Sequence, residues 1–156
     1  MPTPTYVPLA NITVSIAAAS VSFASIPASF RDLILVSTPV HATSAGLRLT
    51  INGSTADGSY VVMYGLGAGT FGSGTGSVVL AGTSDSSPSA NILHAMDYSA
   101  TDKHKTFLLR SDRAEAGTLA YAQRWAQTAA ITSLAIVPET GLIGAGSTFA
   151  LYAIAS

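Results

Sequence analysis

The sequence predicts an all-β protein: a single-domain antiparallel β-sandwich, jelly-roll-like, over residues 10–156, preceded by an extended N-terminal arm over residues 1–9. Three observations point there. Apolar residues recur at every second position, or in short unbroken runs, in about ten or eleven segments too short for typical helices. Almost every segment stops at Gly, Pro, Ser or Asn-Gly, the residues that turn a chain. No stretch of about twelve residues has the apolar spacing of an amphipathic helix. Several segments are apolar at consecutive positions, which predicts strands covered on both faces and favours a sandwich over a closed barrel. A chain of 156 residues suffices for one domain with a real core, and no break in composition asks for two.

In chain order, Met1 to Pro8 is rich in Pro and Thr and has little to bury, so it reads as an arm, disordered in isolation or extended along a neighbour. Ile12, Val14 and Ile16 alternate with Asn11, Thr13 and Ser15, the period of a half-buried strand. Val21 and Phe23 repeat the pattern up to Pro27; an Ala-rich helix over residues 16–25 is the lesser alternative, because the apolar positions repeat every two. Leu33-Ile34-Leu35-Val36 is expected to be covered on both faces. Pro39 to Gly46 reads as a loop. Leu47, Leu49 and Ile51 alternate up to Asn52-Gly53, residues suited to positive φ. Tyr60 to Leu66 carries Tyr60, Val62 and Tyr64 on one side, Val61 and Met63 on the other.

Gly65 to Gly76 is the longest low-complexity piece. Gly67 to Gly72 formally matches G-x-G-x-x-G, but that fingerprint needs a strand feeding directly into a helix, and here more Gly, Ser and Thr follow before Val78-Val79-Leu80. A flexible surface loop is expected instead. Gly82 to Ser89 reads as a second polar loop. Ile92 to Tyr98 reads as a strand ending at a charged turn. Asp97 to Glu115 then holds eight of the fifteen charged residues, flanking a strand at His104 to Leu109. After Trp125, the runs Ala129–Val137 and Ser147–Ile154 are expected to pair, with the last strand lying inside a sheet.

Charged residues make up 10% of the chain and the formal net charge is −1. A typical soluble domain has about a quarter charged residues, so Ser, Thr, Gly and Ala here take the place of ionic surface. Much of such a surface is expected to face other protein. The neutral balance offers no basic footprint for nucleic acid. Absence of Cys removes disulfides, thiolate metal sites and cysteine nucleophiles, and is compatible with folding in a reducing cytoplasm. Met1 to Phe30 and Ser59 to Ser84 are uncharged, but Pro, Gly, Ser and Thr interrupt both; neither reads as a membrane span or a leader, and a soluble chain is expected.

The candidate chemistry is thin. His41, His94 and His104 lack metal-ligand spacing, no G-x-S-x-G elbow is present, and Asp97 and Asp102 sit among turn residues and basic neighbours. No catalytic, cofactor-binding or metal-binding residue is expected, and the chain reads as non-enzymatic.

Several motifs in order carry a resemblance: Tyr6-Val7-Pro8-Leu9-Ala10-Asn11-Ile12-Thr13, Val21-Ser22-Phe23-Ala24-Ser25-Ile26-Pro27, Phe30-Arg31-Asp32-Leu33-Ile34-Leu35, Leu47 to Gly53, Asp97-Tyr98-Ser99 with Lys105-Thr106, Trp125 before Ala130 to Leu134, and Gly146 to Tyr152. Together they resemble a group of small virion structural proteins of tailed bacteriophages, over nearly the whole chain. Tyr152-Ala153-Ile154 departs from the Tyr-Gly-Ile common in that group, and residues 65–76 match no role in it. The resemblance implies a non-enzymatic structural protein, capsid-decorating or tail- or fibre-associated. It places the chain in the virion after assembly in the bacterial cytoplasm, with the major capsid protein or other virion proteins as partners and a homo-oligomer, dimer or trimer, as its state.

Two functions fit this frame. The first is a capsid decoration, or cement, protein holding the major capsid lattice; its partner-binding residues are expected to be Tyr6, Val7 and Leu9 of the arm and Asp102, Lys103, Lys105, Arg110 and Arg113 of the charged hairpin. A mixed-charge patch on a neutral body fixes orientation more than it adds affinity. The second is an adhesin module on a tail or head fibre that binds a host surface glycan through Tyr60, Tyr64, Tyr98, Tyr121 and Trp125.

Overall fold

The computed structural model describes residues 5–42, 44–67, 69–113 and 117–155. They form twelve strands: β1 (Tyr6–Thr13), β2 (Val21–Phe23), β3 (Asp32–Thr38), β4 (Ala45–Ile51), β5 (Gly58–Leu66), β6 (Thr70–Gly76), β7 (Leu80–Ser84), β8 (Asn91–Met96), β9 (Lys105–Arg113), β10 (Gly117–Trp125), β11 (Leu134–Pro138) and β12 (Thr148–Ile154). No helix occurs among the described residues. The chain is an antiparallel β-sandwich. One sheet has eight strands in the order β1-β12-β3-β8-β9-β10-β5-β6, the other four in the order β2-β11-β4-β7. The chain passes repeatedly from one sheet to the other, as a jelly-roll-like path requires, but the strands divide eight and four.

Period-two alternation in each strand builds the core in rows. On the large sheet Leu151, Leu35, Leu93 and Leu109 stand side by side across β12, β3, β8 and β9, beside a second row of Ala153, Leu33, Ala95 and Phe107. Facing them, Phe23, Leu134 and Ile51 line up across β2, β11 and β4, with Val21, Ile136 and Leu49 next to them. All are buried. Each such large side chain contributes about 1.5–3 kcal/mol of transfer free energy, which is what the ordered backbone has to be set against.

The structure departs from expectation in several places, one being the expected polar loop at Gly82 to Ser89, whose first three residues are the buried end of strand β7. The two C-terminal runs do not pair with each other: β11 lies between β2 and β4, while β12 lies between β1 and β3 in the other sheet. The link between them crosses from one sheet to the other and buries Ile143 on the way. Within Ala129–Val137 only the part from Leu134 is strand.

Ile16 is 81% exposed, because β1 ends at Thr13 and Val14 turns inward, its N–H donating to the Ser147 carbonyl at 2.9 Å.

The arm boundary after residue 9 is also corrected. Tyr6, Val7 and Pro8 are ladder partners of Ile154, Ala153 and Tyr152, and a bulge between Pro8 and Ala10 absorbs the residue that lacks an N–H. Leu9 packs on the core. Residues 1–4 of the expected arm lie outside the described residues.

The Gly-rich stretch is strand β6 and not a loop. Gly72, Gly74 and Gly76 stand opposite Tyr64, Val62 and Tyr60 of β5. A Cβ at Gly72 would lie 2.6 Å from the Tyr64 hydroxyl, and one at Gly76 would enter the Tyr60 ring. The glycines therefore make room for tyrosines that lie over the edge strand.

Finally, Leu33-Ile34-Leu35-Val36 is buried on one face only. Leu33 and Leu35 enter the core, whereas Val36 on the outer face is 38% exposed. The expected turn at Asn52-Gly53 forms with φ of 50° and 82°.

Candidate functional site

The outer face of the eight-stranded sheet holds the clearest candidate surface. Outward positions alternate with the core rows, so Ile34, His94, Leu108, Ala122 and Val61 form one row across β3, β8, β9, β10 and β5. Val36, Ile92, Arg110, Ala120 and Met63 form the next. Tyr6 and Arg110 both line a groove of about 590 Å³ on this face, together with Ile34, Ile92 and Leu108. Sequence reasoning had placed Tyr6 and Arg110 on separate features, an arm and a hairpin; the sheet brings them to one surface.

The other expected partner residues scatter. Val7 pairs with the inward-facing Ala153, and Leu9 packs on the core, so both help to hold β1. Asp102 and Lys103 are exposed in the loop between β8 and β9. The Lys103 ammonium reaches Asp97 at 3.4 Å, Arg31 stands 3.6 Å from Asp97, and the buried Asp32 accepts from the Asp97 N–H at 2.8 Å and contacts His94 Nε2 at 3.1 Å. Asp97 thereby takes part in a surface ion network. Arg113 lies at the far end of β9. The described charged side chains of residues 97–112 thus spread from the loop before β9 to the outer face of that strand instead of forming one patch.

Lys105 requires a correction. It points inward in phase with Phe107 and Leu109 and is fully buried. Its ammonium donates to the carbonyls of Ala100, Lys103 and Thr128 at 2.6, 2.9 and 3.0 Å. Burial pushes its pKa down; Asp102 and Asp97 act against that shift and Lys103 adds to it. Lys105 ties two loops together and presents nothing to a partner.

The aromatic candidates for glycan binding divide as well. Tyr98, Trp125 and Tyr121 are buried. The Tyr98 hydroxyl donates to the Pro27 carbonyl, and burial pushes its pKa up. Tyr60 and Tyr64 are half-buried on β5. Tyr60 meets Tyr121 edge to face, with ring centroids 5.4 Å apart. They flank a cleft of about 340 Å³ at the open side of the sandwich, beside Thr83, Leu119 and Glu139, whose carboxylate pairs with Arg48 at 3.1 Å.

Two side chains passed over in the sequence bond the edge of the small sheet at Leu80 and Thr83, which line this cleft. Gln123 and Asn91 reach from the inner face of the large sheet to the edge strand β7. Gln123 bonds both backbone groups of Leu80, and Asn91 bonds both of Thr83. Their signal was parity: Gln123 is in phase with Tyr121 and Trp125, and Asn91 with Leu93 and Ala95.

Among the described residues no group of three or more His, Asp or Glu is placed to hold a metal ion, and no helix is long and apolar enough to cross a membrane. Comparison of the chain with models of protein families, with curated proteins and with solved structures finds no match.

Proposed function

We propose that this chain is a non-enzymatic virion structural protein of a tailed bacteriophage, a capsid decoration protein that cements the major capsid lattice. The observation that carries this reading is the order of short motifs from Tyr6 to Tyr152 that resembles such proteins. Two physical features support it. A charged share of 10% leaves little ionic surface to keep copies apart. A broad apolar sheet face is open on the outside, and such patches mark contact with other protein. On a repeated lattice each contact need only be weak, because many act together. Homo-oligomerisation, virion location and contact with the major capsid protein belong to the same proposal. Its test is binding to purified capsids that lack the chain: co-sedimentation saturating at a fixed ratio to the capsid protein is expected, and no co-sedimentation would refute it. Removing residues 1–5, which spares β1, asks in the same assay whether the terminus contributes.

A second reading, a glycan-binding module of a tail or head fibre, is favoured by the cleft in which Tyr60 and Tyr121 meet beside Thr83 and Glu139. Binding to a glycan array or to host cells, with loss in Tyr60→Ala and no capsid binding, would select it over the first.

A further inference from the structure

We propose that Asn52-Gly53 is a self-modification site, a succinimide-forming pair that the fold holds shut and that opening of the turn after β4 releases. The chain has three asparagines, and the other two, Asn11 and Asn91, are each followed by isoleucine within a strand. A β-branched side chain crowds the nitrogen that must attack, whereas Gly53 brings none. In the reaction the Gly53 nitrogen bonds to Asn52 Cγ, the Cγ–Nδ2 bond breaks, and the Gly53 amide proton leaves with Nδ2 as ammonia. Water then opens the cyclic imide at either carbonyl. The products are aspartate and isoaspartate, the latter with one more carbon in the main chain.

The fold closes this route by engaging both polar atoms of the Asn52 side chain. Nδ2 donates to the Ala130 carbonyl at 2.8 Å, and Oδ1 accepts from the Thr132 and Ser133 N–H groups at 2.9 and 3.1 Å and from the Thr132 hydroxyl at 3.2 Å. Two N–H donors on one side and a carbonyl on the other admit one orientation of the amide. The main chain is fixed as well. Asn52 N–H donates to the Ser133 carbonyl at 3.1 Å, and Ile51 and Ser54 exchange bonds of 2.8 and 2.9 Å across the turn. Ring closure needs Cγ to face the Gly53 nitrogen at near-attack distance, so the amide must first give up its hold on residues 130–133. Both turn residues are exposed, so water reaches them and conformation is what withholds the reaction.

The change runs one way. An aspartate at position 52 has no donor for the Ala130 carbonyl and sets a charge against it, and isoaspartate lengthens a turn that the Ile51–Ser54 bridge closes tightly. The segment let go matters to the core: Ile131 is fully buried, with its N–H on the Tyr98 carbonyl at 2.9 Å, and the Thr128 carbonyl accepts from Lys105 at 3.0 Å. A chain that folds and stays folded keeps Asn52; one that opens loses the tie that seats the β10–β11 connection.

This inference does not depend on the virion reading, since the isolated chain tests it. The full chain is held in mildly alkaline buffer with and without guanidinium chloride, and residue 52 is followed by peptide mass spectrometry. Isoelectric focusing gives a second readout, because each conversion takes the formal net charge below −1. The unfolded chain should convert at Asn52 ahead of Asn11 and Asn91, to a mixture of aspartate and isoaspartate. The folded chain should convert at least about tenfold more slowly. Thr132→Gly, which lacks the hydroxyl bond and loosens the backbone, should speed the folded reaction about threefold with strand content retained. Asn52→Asp should unfold at lower denaturant than the wild type. Equal rates in the folded and unfolded chain, no conversion at Asn52 in the unfolded chain, a Thr132→Gly no faster than the wild type, or an Asn52→Asp of wild-type stability would each overturn the proposal. Should Thr132→Gly fail to fold, hydrogen exchange of the wild type takes its place: the Thr132 and Ser133 amides should be protected, and unprotected exchange at both overturns it.

Discussion

Gln123 treats Leu80 as one strand treats another. Its Nε2 donates to the Leu80 carbonyl at 2.9 Å and its Oε1 accepts from the Leu80 N–H at 2.7 Å, so a side-chain amide on β10 completes the backbone pairing of β7. An edge strand packed against another sheet cannot leave those groups dry and unpaired. Asn91 does the same for Thr83, aided by Ser111 Oγ, which lies 2.6 Å from Thr83 Oγ1. The small sheet stops at four strands because its last edge is already satisfied.

Gln123→Leu keeps the volume and removes both bonds. It is expected to cost about 2–4 kcal/mol, read from urea unfolding at neutral pH, because Leu80 is left with a buried donor and a buried acceptor. Gln123→Glu should be destabilised at neutral pH and recover part of the loss in mild acid, where the protonated carboxyl both donates and accepts as the amide does. Wild-type stability in Gln123→Leu would show that the pairing carries no weight.

Lys105 gives a prediction with a definite sign in pH. Burial lowers its pKa in the folded state, so between that value and the ordinary lysine value the unfolded chain binds more protons. Stability therefore rises with pH through that window as the cost of burying a charge is relieved, and below the folded pKa that cost is fully present. Lys105→Met should lose about 2–4 kcal/mol at neutral pH from three carbonyls without a donor. Its stability should also rise less on the alkaline side than that of the wild type. Equal alkaline slopes in urea titrations of the two proteins would contradict the assignment.

The β6 glycines are tested by a double-mutant cycle. Gly72→Val should destabilise by about 1–3 kcal/mol, since its side chain meets the Tyr64 hydroxyl. Gly72→Val in a Tyr64→Ala background should cost clearly less, the signature of two residues sharing one volume. Additive losses would mean that Tyr64 does not lie over β6.

How far these features were legible in the sequence follows from which interaction each depends on. Alternation alone located most strands, because Leu47, Leu49 and Ile51, or Val21 and Phe23, report a local period. Asn52-Gly53 was readable because positive φ is a property of those two residues. Strand partners were not, since β11 and β12 differ in sheet by where the chain crosses and not by composition. Strand β6 was hidden because its inward residues are glycines whose volume is supplied by Tyr60 and Tyr64 of the next strand. Lys105 was misread because charge in a charged stretch implies solvent, yet its parity with Phe107 and Leu109 placed it inside. The outer face was misread for the opposite reason: runs such as Leu33 to Val36 imply cover on both sides, and this chain covers one.

Assembly into a virion is the claim on which the functional account turns, and a reconstruction of purified phage particles that carry the gene tests it most directly. The account expects this chain as many symmetry-related copies seated on the head lattice, with the major capsid protein beneath them. Intact particles without any copy of it, and the chain left free in the lysate, would contradict the account.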